Sequence, residues 1–192
     1  MGGANVGPTV TQYTLRPDEG TKLSRITTLQ NDLALALAAH PIRIEAPIPN
    51  TSLVGIEIPN KNPSLVCLRD LLIAQEYRAV ESSLAFPLGL NVSGKVVAES
   101  LDRLPHLLIA GATGSGKSVA IHSLLISLLF RNTPETLRLI LVDPKRVELP
   151  PYNGIPHLLT PVIVDTEKTV NALKWALEEM DVRYRLLEES GS

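Results

Sequence analysis

The chain has a single cysteine, Cys67, in 192 residues. An internal disulfide and a cysteine-ligated metal site are therefore excluded, which fits a reducing compartment. The plain reading of Cys67 is a small buried apolar residue. Aromatics are scarce, at 4% with one Trp, four Tyr and two Phe, too few for a platform on which single-stranded bases stack. No apolar run reaches the ~18 to 20 residues of a helical membrane span. The start, 1–8, is small and polar and shows no signal peptide. Neither sign of charge dominates: 18 Lys and Arg face 20 Asp and Glu, for a net charge of −2. There is no global basic field, so any nucleic-acid contact is local or made by an assembly. Internal repeats are absent as well. What is present is 44% hydrophobic and 20% charged residues. That is enough for a real core, in one large domain or two small ones. The 15 prolines punctuate the first two thirds.

One stretch organises the rest. Residues 111–118 read GATGSGKS, which fits G-x-x-x-x-G-K-[ST], the phosphate-binding P-loop or Walker A pattern. Nucleotide phosphates carry several negative charges, and inward-turned backbone N–H groups make a concave anion site. Gly114 and Gly116 reach the backbone angles such a nest needs without a Cβ penalty. Gly111, Ala112, Thr113 and Ser115 complete the loop. Lys117 supplies a point charge to the β and γ phosphates, and the Ser118 hydroxyl is the expected Mg²⁺ ligand. Lys117 and Ser118 are thus the expected catalytic pair, with a nucleotide and Mg²⁺ as the expected cofactors. The context agrees. Leu107-Leu108-Ile109-Ala110 is apolar like a buried parallel strand, and 119–130 is apolar at helical spacing.

Upstream, 9–16 (TVTQYTLR) alternates as a strand, and Pro17-Asp18-Glu19-Gly20 is a turn cluster. The apolar spacing of Leu23, Ile26, Leu29, Leu33 and Leu37 predicts one amphipathic helix over 22–39, ended by Pro41. Strands follow at 42–46, 53–58 and 64–68, then a helix over 69–79. Residues 84–100 read as a hairpin about the turn Asn91-Val92-Ser93-Gly94. Basic residues here alternate with acids and read as a solvated surface. The expected organisation is a small α+β domain over 1–82 and a P-loop domain over 83–192.

Downstream, 137–142 (LRLILV) is a β-favouring run that ends at Asp143, and 161–164 is a short strand. Strand, helix, strand in this order favours a parallel sheet. Asp143 has two readings. One is a carboxylate that supports Mg²⁺. The other is a cap for the loop that carries Lys145 and Arg146. Its neighbour Pro144 is not a second acid, and no glutamate follows that could serve as base for the attacking water. His106 also has two readings: a proton carrier, or a packed or hydrogen-bonded histidine at a strand start. Asp165 or Thr166 is the expected N-cap of a last helix. Val170, Leu173, Leu177, Met180, Tyr184 and Leu187 give that helix one apolar stripe.

Three strings carry a resemblance. PHLLIAGATGSGKSVAIHSLLISLL, LILVDPKRVELPPYNGIPHLLTPVIVD and NALKWALEEMDVRYRLLEESG resemble the motor of the FtsK/SpoIIIE DNA translocases. GPTVTQYTLRPDEG, RITTLQNDLALALA, VGIEIPNKNPSLVCLRDLL and LGLNVSGKVV resemble the small domain that precedes it. The resemblance implies a RecA-like P-loop NTPase with a parallel sheet, incomplete here, behind a small α+β domain. It implies a hexameric ring around double-stranded DNA, pumping it by ATP hydrolysis in chromosome segregation and cell division. It gives 111–118 the phosphate and Mg²⁺ roles. Relatives are usually anchored in the bacterial inner membrane, while this segment is expected to be cytoplasmic and free of membrane contact. The acid pair for hydrolysis, the arginine finger, the pore loops and the DNA reader are expected later than residue 192. By the same comparison Asp143 lies on a different strand from the acid pair. The chain alone is therefore expected to bind nucleotide without useful turnover, and to leave a strand edge and a helix face uncovered. Two alternatives stand beside this. One is a related HerA/FtsK-superfamily ring ATPase of secretion or conjugation. The other is a non-catalytic nucleotide-binding fragment.

Overall fold

The computed structural model describes residues 2–104 and 106–191. The fold mixes α and β and divides into two compact units, Met1–Leu128 and Leu129–Ser192.

In the first unit, β1 (Ala4–Val6), β2 (Val10–Leu15), β3 (Arg43–Glu45) and β4 (Val54–Pro59) form an antiparallel sheet of order β1-β2-β4-β3. The strand expected over 9–16 forms as β2, with Gln12 buried and Tyr13 exposed. Ile42 and Val54 are buried at its core. Asn60 closes the sheet's end: its amide donates to the Gly7 carbonyl at 2.8 Å and its carbonyl accepts from Thr11 Oγ1 at 2.7 Å.

The single helix expected over 22–39 is two: α1 (Leu23–Thr27) and α2 (Gln30–Ala36). The interruption has a local cause. Thr27 and Thr28 turn their hydroxyls back onto the Ser24 and Arg25 carbonyls, each at 3.1 Å. Such back-bonding competes with the helical ladder. The helix expected over 69–79 is also two, α3 (Leu68–Ile73) and α4 (Gln75–Arg78), parted by the extended Ala74. The strand expected at 64–68 is absent. Only Ser64 N–H ties the start of that stretch to the sheet, at the Pro8 carbonyl, 2.8 Å. Cys67 is exposed rather than buried, at the end of a stretch with no regular structure.

The expected hairpin forms from β5 (Ala85–Leu90) and β6 (Val96–Ser100). Asn91 shapes its turn, accepting the Ser93 and Lys95 N–H groups at 2.9 and 3.0 Å. Leu72 and Tyr77 pack with Ala85 as the centre of this core. Burying a Leu-sized side chain contributes about 1.5–3 kcal/mol.

The second unit has no extended strands among the described residues. Two isolated parallel bridges, Leu139 with Leu158 and Val142 with Ile163, align 137–142 beside 157–163. Leu141, Val162 and Ile163 are buried there. The last helix, α6 (Thr166–Ser190), starts where expected. Asp165 is its N-cap and accepts the Glu167 and Lys168 N–H groups at 2.9 and 3.1 Å. Gly191 ends it in the left-handed region. No residue of α6 is buried, so its apolar stripe faces outward.

Candidate functional site

Residues 111–118 form an exposed loop that runs into the helix α5 (Lys117–Arg131). Two glycines turn the chain, Gly114 at φ 79° and Gly116 at φ 90°, where any other L-residue is strained. A short turn bond, Ser115 N–H to the Ala112 carbonyl at 3.1 Å, tightens the loop. Gly111 is needed for another reason. A Cβ there would stand 2.2 Å from Ser115 Oγ, so the loop folds back on its own first residue.

Lys117 and Ser118 occupy the first turn of α5 and are half-buried. First-turn N–H groups have no intrahelical acceptor, and with the helix dipole they attract anions. No acidic residue lies in that turn, so no carboxylate of the helix competes for them. The loop, the lysine and the helix start can together cradle a phosphate chain.

The expected strand before the loop does not form. Residues 107–110 belong to no sheet among the described residues, and Leu108 is 90% exposed. A strand persists only where a neighbour takes its N–H and C=O groups, and among the described residues none pairs with this one. His106 is likewise exposed and not packed.

Asp143 is 6% exposed. Its Oδ1 accepts from Lys145 and Arg146 N–H at 3.2 and 3.1 Å. Its Oδ2 accepts from Glu148 and Leu149 N–H at 2.9 and 3.0 Å. Hydrogen bonds from Leu149 first, then from Glu148, Arg146 and Lys145, hold its carboxyl below the ordinary value of 3.8, against desolvation. Of the two readings of Asp143, the structure displays the loop organiser. Among the described residues, no group of three or more His, Cys, Asp or Glu could hold a metal ion.

One buried polar residue escaped the sequence. His157 is 9% exposed, with Nε2 3.0 Å from the Asn132 carbonyl. A carbonyl only accepts, so Nε2 carries the hydrogen. The buried Nδ1 has no partner. No periodicity marks this histidine, since it lies in an irregular Pro- and Gly-rich stretch. Among the described residues, no helix is long and apolar enough to cross a membrane.

Comparison with known proteins adds to this geometry. A DNA translocase FtsK from Caldanaerobacter subterraneus subsp. tengcongensis is 51% identical over 185 residues, covering 96% of this chain and 26% of that protein. The DNA translocase FtsK of Clostridium acetobutylicum is 50% identical, over 96% of this chain and 24% of its own length. The DNA translocase SftA of Bacillus subtilis is 49% identical, over 96% and 19%. The chain thus spans about a quarter or less of the curated relatives it matches. Among solved structures, the pCW3 conjugation coupling protein TcpA, in a monomer form with ATPgS, is similar with a TM-score of 0.50. It is 23% identical, over 99% of this chain and 51% of that one, a likeness of fold alone. The FtsK alpha domain profile matches residues 1–60, and that of the FtsK/SpoIIIE family matches 67–192. The chain belongs to the FtsK/SpoIIIE family.

Proposed function

We propose that this chain is the ATP-binding part of a ring-forming motor, a hexamer that pumps double-stranded DNA by ATP hydrolysis. The observation that carries the reading is the loop 111–118. Two left-handed glycines deliver the chain onto the start of a 15-residue helix whose first turn holds Lys117 and Ser118. Family membership supplies the kind of work. The relatives at 49–51% identity are named DNA translocases.

The residues fit a nucleotide. The loop is exposed, and a Cβ at Gly114 or Gly116 would meet nothing within 4 Å, which suits a ligand laid along its backbone. Lys117 would hold the β and γ phosphates, and Ser118 would hold Mg²⁺, which would offset phosphate charge. The organisation we favour is a small α+β domain over 1–82 followed, over 83–192, by the first half of a RecA-like domain. The parallel bridges Leu139–Leu158 and Val142–Ile163 support a parallel sheet in that domain. The chain alone is expected to bind ATP without useful turnover.

Calorimetric titration with Mg²⁺-ATP, beside Lys117→Ala, tests this. The expected result is binding by the native chain that the variant loses. Equal binding by both, or turnover that Lys117→Ala abolishes, overturns it.

A further inference from the structure

The loop after Asp143 is built more firmly than an exposed connection needs. One buried carboxylate fixes its backbone at four N–H groups, spread from Lys145 to Leu149. Outside this anchor, residues 144–147 are exposed. Arg146 sits at φ 61°, a left-handed conformation that a non-glycine residue adopts at a cost. The loop therefore holds Lys145 and Arg146 outward on a fixed frame.

Neither cation is neutralised. Among the described residues, no ion pair involves Lys145 or Arg146. The carboxylate beneath them has both oxygens engaged by N–H donors. Between Asp143 and Asp165 the sequence holds one further acid, Glu148.

The position in the fold also points to a ligand. The loop leaves the carboxyl end of 137–142, beside the parallel partner Ile163. In sheets with parallel strands, ligands bind outside the carboxyl ends.

We infer that Lys145 and Arg146 are a contact for the phosphate backbone of double-stranded nucleic acid. The inference rests on the DNA-pumping reading above. A duplex presents about one charge per 1.7 Å of axis. Two outward cations on a fixed loop thus meet phosphates at any sequence and in successive registers. A protein partner would have to place an acid opposite each. Arg146 takes two phosphate oxygens with its planar fork, and Lys145 takes one as a point charge. Because the frame is ordered beforehand, little backbone entropy is lost on contact.

The test is fluorescence anisotropy of a labelled duplex titrated with the whole chain, repeated over a range of salt. The variant is Lys145→Ala with Arg146→Asn, since asparagine tolerates the left-handed region. Both backbone N–H groups persist, so the Asp143 frame is kept. Its four amides, followed by hydrogen exchange, check that. The expected result is an affinity loss of about tenfold or more at about 50 mM salt. The slope of log K against log salt should flatten by about 1.8, or 0.9 per phosphate contact. The charge-keeping Lys145→Arg with Arg146→Lys should retain both affinity and slope.

Three results overturn the inference: no duplex binding by the native chain, an unchanged slope in the neutral variant, or equal losses in the neutral and charge-keeping variants. If the neutral variant instead abolishes a salt-sensitive self-association, the pair belongs to a protein interface. ATP binding measured on the same samples separates this inference from the reading it rests on. A chain that binds ATP through Lys117 but ignores the duplex sinks only this inference. A chain that contacts the duplex but binds no ATP sinks the nucleotide reading instead.

Discussion

Gly111 and Gly116 are both glycine in the same loop for different reasons, and one experiment separates them. At Gly111 the obstacle is a neighbour. An added Cβ would lie 2.2 Å from Ser115 Oγ and 3.3 Å from Ser115 Cβ. The Oγ is the free end of a rotatable side chain, so Gly111→Ala forces Ser115 out of its present rotamer. That costs about 0.5–1.5 kcal/mol. At Gly116 the obstacle is the backbone. No atom lies within 4 Å of its added Cβ, but φ is 90°, so Gly116→Ala strains the chain by about 1–2 kcal/mol. Either strain is relieved by deforming the loop, and nucleotide must then restore it. Both variants should therefore weaken ATP binding, Gly111→Ala by roughly twofold to tenfold. Removing the Ser115 hydroxyl discriminates between them. Ser115→Ala takes away the 2.2 Å collision and leaves only the 3.3 Å contact. It should recover most of the Gly111→Ala loss and none of the Gly116→Ala loss. The assay is calorimetric ATP titration of the single and double variants as two mutant cycles. A Gly111→Ala loss that survives Ser115→Ala in full, or a Gly116→Ala loss that it repairs, refutes the geometric argument.

Three further outcomes are expected. The Asp143 carboxyl is held below 3.8, so its stabilisation is complete above that value and lost as pH falls through the lower folded value. Hydrogen exchange should find the Lys145, Arg146, Glu148 and Leu149 amides protected from neutral pH down to 3.8 and released only below it, whereas Asp143→Asn, whose amide nitrogen accepts nothing, should release at neutral pH the pair of amides that faces it. His157→Leu removes the donor to the Asn132 carbonyl and should cost about 1–3 kcal/mol in urea unfolding. His157→Gln keeps an amide N–H for that carbonyl and should lose clearly less; equal losses would assign His157 to packing alone. On α6, Leu173 and Leu177 are 61% and 59% exposed, so exchanging both for glutamine should move stability by less than about 0.5 kcal/mol each and raise the concentration at which the chain stays dispersed. A large destabilisation would show that the stripe packs on something in solution.

What was legible in the sequence is what is decided within a few residues. The P-loop could be read because glycine, lysine and serine at fixed spacing answer a local demand for left-handed turns and a helix start. The α6 boundary could be read because Asp165 caps the helix it begins. The hairpin turn could be read because Asn91 and Gly94 shape it themselves. Pairing is not local, and there the reading failed. The run 107–110 is apolar enough for a strand, yet composition gives no partner, and a strand without one is only extended chain. The order strand, helix, strand from 107 to 142 favoured parallel pairing, yet the two parallel bridges join 137–142 to 157–163 instead, across a loop whose sequence gives no sign of it. The short β1 was missed because three residues with no alternation give no signal. Its place comes from Thr14, whose hydroxyl accepts the Gly3 N–H at 2.8 Å.

Burial was the other blind spot. Cys67 was expected inside and lies outside, His106 is exposed where one of its readings was a packed histidine, and His157 lies inside with nothing beside it in sequence to show this. Asp143 sits between the two cases. Both readings of it were open, although Pro144 in place of a second acid already favoured the turn. Only the four N–H groups arriving from residues 145, 146, 148 and 149 choose between them. The loop that results is itself a consequence of that choice. A carboxylate spent on backbone donors is withdrawn from Lys145 and Arg146, and those two charges remain available to whatever anion meets the carboxyl end of 137–142.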